Sequence, residues 1–251
     1  VTYPLIFNFN NSIIGIGSGS HLWNFWWFKR QLFELHKFPL PYIKHTGLMY
    51  YPIGQSLYIL DPLNALLSIP FQIIFNLPVS YNIIIILNLV LGCFFAYLLV
   101  KYLTNNRLVG FVSGIIYGCS PYMLSSINNG WSEAVNICWI PLGVLYLYKL
   151  LEENKKRHIA ATALILFLVV FSNWYYGMYI CIFIGLFILF RALSFRKENY
   201  GGQPKIKFIF NRQFISKITL VILLFVLIIY PFAHFFQKSI SFPEVAMFKG
   251  N

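Results

Sequence analysis

Of the chain's 251 residues 59% are hydrophobic, 20% aromatic and only 10% charged, against about 25% charged in an ordinary soluble domain. This balance excludes a soluble globular protein and implies an all-α polytopic membrane protein. The net charge of +12 comes from lysines and arginines beside apolar runs, where membrane orientation and anionic headgroups explain them and nucleic acid does not. Cys93, Cys119, Cys138 and Cys181 all lie in apolar stretches without metal or disulfide spacing.

The first residues, "VTYPLIFNFNNSIIG", lack a basic leader region and are too short to span, and they read as the tail of an earlier helix, so the chain is expected to be a piece of a longer one. From Gly17 to Gly54 the sequence is aromatic but too charged to cross a bilayer. Within it, His21–Phe38 mixes Leu22, Phe25, Trp26, Phe33 and Leu35 with Lys29, Arg30, Glu34 and Lys37, the pattern of an interfacial helix. Two readings are open, a lid over a site and a plug that keeps water from the bundle. Pro62–Pro78 is bounded by prolines and divided by Pro70; it is either a seventh span or a segment that lies in or dips into the membrane without crossing, and its proline content and short halves favour the second.

Six spans are then expected. Tyr81–Val100 carries no charge over the length a crossing needs. Leu108–Met123 and Ala134–Leu151 follow, with a kink anticipated at Pro141. Ile159–Phe171 and Trp174–Phe190 form a hairpin about "SNWYYG", and Phe214–Phe236 is last. Residues 1–80 thus make a loop region and residues 81–251 a transmembrane bundle. With Pro62–Pro78 not crossing, the loops on one side hold 13 of the 19 lysines and arginines. The positive-inside rule puts that side in the cytoplasm and residues 17–61 outside, in a prokaryotic plasma membrane.

Four acids fall on the outer side: Glu34, Asp61, Glu133 and Glu244. Glu133 follows "NNGW" where a helix enters the membrane, a costly place for an ionisable group unless it is paired, hydrated or used. It is either functional or a partner of the helix dipole, with Ser132 as a cap. Asp61 precedes Pro62, which favours a capping role. Either carboxylate has the chemistry to take a proton from an acceptor hydroxyl or to hold a divalent ion. Tyr50, Tyr51, Trp131 and Trp174 are candidate sugar-stacking residues, with an interfacial aromatic belt as the alternative. Lys29 and Arg30 are candidates for a lipid phosphate or simply face water. His21, His36 and His45 show no regular metal-ligand spacing.

The stretches "LWNFWWFKRQLFELHKFPL", "YYPIGQSLYILDPLNALLSIPF", "GFVSGIIYGCSPYM", "WSEAVNICWIPLGVLYL" and "SNWYYGMY" together resemble the GT-C glycosyltransferase superfamily, in particular its uncharacterised bacterial and archaeal members. The resemblance implies transfer of a sugar from a polyprenyl-phosphate or similar lipid-linked donor at the outer face. It also implies an acidic residue of the first outer loop as base or divalent-metal ligand. An aspartate is expected between the glycines and "LWN", where this chain reads "GSGSHLWN". That departure keeps a second class open, a non-catalytic subunit among partner membrane chains. A transporter, for which Asn88 and Pro141 are the only pointers, is a third.

Overall fold

The computed structural model describes residues 9, 11–37, 42–46, 55–58, 61–153 and 155–197, with isolated positions from 219 to 230. The expected last span Phe214–Phe236 and the tyrosines Tyr50 and Tyr51 lie outside the described residues. Nine α-helices are described: α1 (Gly19–Phe33), α2 (Pro62–Ile74), α3 (Leu77–Thr104), α4 (Arg107–Gly118), α5 (Pro121–Asn129), α6 (Ser132–Val135), α7 (Trp139–Glu152), α8 (Lys156–Ser172) and α9 (Trp174–Lys197). The helical class therefore stands, with one addition. A two-stranded antiparallel hairpin, β1 (Tyr42–Thr46) with β2 (Gln55–Tyr58), pairs Tyr42 with Tyr58 and Thr46 with Gln55 in the loop between α1 and α2.

The framework is the antiparallel pair α3 and α4. Asn76 caps α3 by accepting from the Val79 N–H, and Asn106 caps α4 by accepting from Leu108 and Val109. Between them Asn105 takes a left-handed conformation (φ 53°), which asparagine tolerates. Helix α4 buries Gly110, Gly114 and Gly118, every fourth residue, so one glycine stripe lies against α3. A Cβ on Gly114 would stand 2.5 Å from the Cys93 carbonyl, and one on Gly118 would collide with Cys93 Sγ. This is the small-residue packing of membrane helices, in which close backbone approach replaces the hydrophobic drive that lipid removes.

Two expectations need correction, and a third is borne out. Pro70 does not divide its segment: α2 runs unbroken from Pro62 to Ile74 with Pro70 on its exposed side, where loss of one backbone hydrogen bond is tolerated. At 13 residues the helix is about 20 Å long, too short for a core of about 30 Å. The break anticipated at Pro141 is present: the expected Ala134–Leu151 helix is interrupted by a 3-10 turn over Asn136–Cys138, Pro141 lies in the first turn of α7, and the Ile137 carbonyl four residues before the proline accepts instead from the Tyr117 hydroxyl (2.8 Å). The expected span Leu108–Met123 is two helices in tandem, with Ser120 capping α5 and Pro121 at its first position.

The principal core joins Phe25 and Phe28 of α1, Ala65 and Ile69 of α2, Tyr81, Ile84 and Ile85 of α3, Met123 and Ile127 of α5, and Val135 and Cys138. A second cluster of Leu150, Ala163, Leu166, Val169, Tyr176 and Ile180 binds α7, α8 and α9. Outward surfaces are apolar: Leu108, Phe111 and Ile116 on α4, Ile73 and Ile74 on α2, and Ile182 and Leu186 on α9 are all exposed. Patches of that kind are normal against lipid and abnormal against water.

Candidate functional site

Helix α2 carries a polar stripe on its buried side, beside Ala65 and Ile69. Asn64, Ser68 and Gln72 are buried, in register with Asp61 at the preceding position, while Leu67, Ile73 and Ile74 face out. At the C-terminal end of this stripe Gln72 donates to the Phe25 carbonyl (3.0 Å) and to Ser68 Oγ (2.7 Å). At the N-terminal end Asp61 is wholly buried. It occupies the N-cap position, yet its side chain accepts nothing from the helix backbone, so the capping role is not the one it performs. Its carboxylate instead accepts from Ser132 Oγ, from Asn136 Nδ2 (2.8 Å) and from Asn64 Nδ2 (3.2 Å). Ser132 thus does not cap α6, whose N-cap is Trp131.

The network extends in two directions. Inward, Asn88 Nδ2 donates to Asn64 Oδ1 (2.9 Å), and Cys138 Sγ donates to Asn88 Oδ1 (3.1 Å). Toward α1, His21 Nε2 stands 3.0 Å from Glu133 Oε2, with the histidine buried and the carboxylate side chain 22% exposed. Six segments of chain meet here: α1, the start of α2, α3, α6, the 3-10 turn and the end of α8, where Asn136 Nδ2 also donates to the Ser172 carbonyl (3.2 Å). Among the described residues His21 Nδ1, Asn136 Oδ1 and Trp139 Nε1 are buried without a hydrogen-bond partner, unspent capacity in a region where unmet polar groups cost about 1–3 kcal/mol each.

Burial dominates the electrostatics. It pushes the Asp61 carboxyl up, against the hydrogen bond from Ser132 and the attraction of His21. It likewise raises Glu133, and it lowers His21 despite the pull of Asp61. Glu133 and His21 are each driven toward their neutral forms; the shift carries the Glu133 carboxyl toward the range in which a group exchanges protons at neutral pH, whereas the lowered His21 stays a neutral imidazole there.

The candidates from sequence separate into two groups. Asp61 and Glu133 are brought together, with His21 between them in the electrostatic sense. Trp131 and Trp174 are both exposed and sit on segments that meet at Glu133: Trp131 is two residues before it, and Trp174 follows Asn173, whose Nδ2 donates to the Glu133 carbonyl (3.3 Å). Lys29 and Arg30 lie two turns along α1 from His21. Lys29 Nζ donates to the Gln72 carbonyl at the end of α2 (2.7 Å), and Arg30 pairs with Glu34 (3.1 Å) and lies over the Trp26 ring. Sequence reasoning missed Asn64, Asn88, Ser132 and Asn136 as members. The spacing of Asp61, Asn64, Ser68 and Gln72, a polar stripe of helical period in an apolar segment, was the signal available.

A divalent ion does not fit the arrangement. The Asp61 carboxylate faces N–H and O–H donors on three sides, the polarity opposite to a cation's ligand shell. No group of three or more His, Cys, Asp or Glu side chains among the described residues is disposed to hold a metal.

Helices α3 and the tandem α4–α5, Leu77–Thr104 and Arg107–Asn129, are long and apolar enough to cross a membrane; Pro62–Ile74, Arg157–Ser172 and Trp174–Phe187 are apolar but shorter. Residues 28–244 match the family described as bacterial membrane protein YfhO. The chain belongs to the YfhO family. The YfhO match takes in Asp61, Ser132, Glu133 and Asn136 and begins after His21. No curated protein and no solved structure matches the chain.

Proposed function

We propose that this YfhO-family protein is a membrane glycosyltransferase that moves a sugar from a lipid-linked phosphosugar to an acceptor hydroxyl at the outer face of a bacterial plasma membrane. The observation that carries the reading is the cluster of Asp61, Glu133 and His21 inside a bundle whose outward surface is apolar. Ionisable groups so placed are expensive and mark functional sites by default. The resemblance of the sequence motifs to the GT-C superfamily adds the reaction class. The charge count on the loops adds the orientation, with residues 17–61 outside and six spans in all.

In this reading Glu133 is the base, because it alone of the two carboxylates is open to solvent. It takes the acceptor proton as the acceptor oxygen bonds to the sugar's anomeric carbon; the bond from that carbon to the phosphate oxygen breaks, and the lipid phosphate leaves with the electron pair. His21 positions Glu133. Asp61 holds Ser132 and Asn136, which shape the floor beneath it. The exposed Trp131 and Trp174 are placed to stack on a sugar ring.

Glu133→Gln keeps size and loses the basic form. Transfer of radiolabelled sugar from a polyprenyl-phosphate donor should fall at least about 100-fold, the usual weight of general base catalysis, with the helical circular dichroism unchanged. A variant that transfers as fast as the parent overturns the role of Glu133, and a parent that transfers nothing from any such donor overturns the enzyme.

A further inference from the structure

Away from the carboxylate cluster, the last turns of α3 and the facing side of α7 border a cleft of about 490 Å3 lined by Leu98, Leu142 and Leu145 and by Lys101 and Lys149. A second cleft of about 360 Å3 adjoins it, sharing Tyr146 and Lys149 and adding Arg157 and His158 from the start of α8. Lys149 lies over the rings of Tyr102 (5.5 Å) and Tyr146 (5.2 Å), and Lys101 lies over Tyr97 (5.5 Å). These contacts hold the two ammonium groups at the cleft without neutralising them.

The nearby acids are otherwise engaged. Glu152 accepts from the Tyr102 hydroxyl (3.0 Å), and Glu153 pairs with Lys155 (2.6 Å) and His158 (3.1 Å). Among the described residues Lys101, Lys149 and Arg157 have no carboxylate within ion-pair distance. Three uncompensated cations beside leucines in these interhelical clefts match an amphiphile with an anionic head and an apolar body.

We propose that this cleft binds the phosphate group of an anionic phospholipid, its head between Lys101 and Lys149 and one acyl chain along Leu98, Leu142 and Leu145. The site is separate from the carboxylate cluster and does not depend on the transfer reaction. Simple positive charge on a loop would act on any anionic surface; a cleft selects one molecule.

The test uses the purified full chain in neutral detergent, with phosphatidylglycerol and phosphatidylcholine titrated in and retained lipid counted by native mass spectrometry. The parent should retain phosphatidylglycerol in preference to phosphatidylcholine. Lys101→Gln with Lys149→Gln should bind it at least tenfold more weakly, Lys101→Arg with Lys149→Arg should bind it like the parent, and exposed Lys37→Gln should change nothing. Millimolar inorganic phosphate distinguishes the source: displacement of the lipid assigns the site to a soluble phosphate group, and failure to displace it assigns the site to the membrane lipid. Equal retention of phosphatidylglycerol by the parent and the double glutamine variant overturns the proposal.

Discussion

Helices α2 and α4 are nearly equal in length, at 13 and 12 residues, and both turn apolar side chains outward, yet they bury different things. Helix α4 buries three glycines and gains contact by bringing backbone to backbone. Helix α2 buries Asn64, Ser68 and Gln72 beside Leu63, Ala65 and Ile69, so polar side chains share its inner face with apolar ones. Lipid accounts for the outer face of each. Only α4 is then explained by packing; the polar stripe of α2 has to be explained by the group it serves, the carboxylate of Asp61. Packing and chemistry are thus divided between helices that composition alone would class together.

The largest effect should come from the polar helix. Asp61→Ala leaves the Ser132, Asn136 and Asn64 donors pointing at a void and should lower stability by about 1–3 kcal/mol for each buried donor left unmet. Asp61→Asn should recover part of that, because its oxygen still accepts while its amide group meets a donor. Thermal unfolding in detergent micelles followed by circular dichroism ranks the two, and equal losses would show that the network's acceptor role is immaterial.

A smaller loss is expected in the glycine helix. Gly114→Val pushes two methyl groups toward the Cys93 carbonyl, so α3 and α4 must separate, at about 1–3 kcal/mol for overpacking. Gly185→Val is the matched control, since nothing lies within 4 Å of its Cβ position. If the two variants melt together, α4 is not held by its glycines.

A pH series sharpens the difference in a third way. Burial raises the Glu133 carboxyl above its ordinary value, so the native state holds a proton that the unfolded chain has released. Stability from this group is fully present below the unfolded value of about 4.3 and is lost as pH rises through the raised folded value. The parent should therefore lose stability relative to Glu133→Gln across that window. No such pH-dependent difference should separate Gly114→Val from the parent. The smallest effect belongs to Lys29→Met, which removes the donor to the Gln72 carbonyl and should cost about 0.5–1.5 kcal/mol.

The sequence exposed these two regions unequally. Apolar runs marked both ends of α3 and α8 to within four residues and the start of α9, whose end at Lys197 lies beyond the expected Phe190, because a long unbroken apolar run needs little tertiary information to be read as a helix. The acids Asp61 and Glu133 stood out because seven acidic residues in 251 leave each one conspicuous. Their partners did not. Asn64, Asn88, Ser132 and Asn136 lie on four segments, and only the fold brings them to one point. Pro70 misled where Pro141 did not: a proline on the exposed side of a short helix leaves it unbroken, whereas the carbonyl freed before Pro141 sits at the 3-10 turn and is taken up by Tyr117. The β1–β2 hairpin was hidden in a loop whose aromatic content suggested only an interface.

Asp61 and the groups that hold it are 71 and 75 residues apart, through Ser132 and Asn136. At about 5–20 residues per second the ribosome needs about 4–15 s to supply them once Asp61 has been made. During that interval the carboxylate has only Asn64 of its three partners, so the earliest-made residue of the network is the last to have its hydrogen bonds completed.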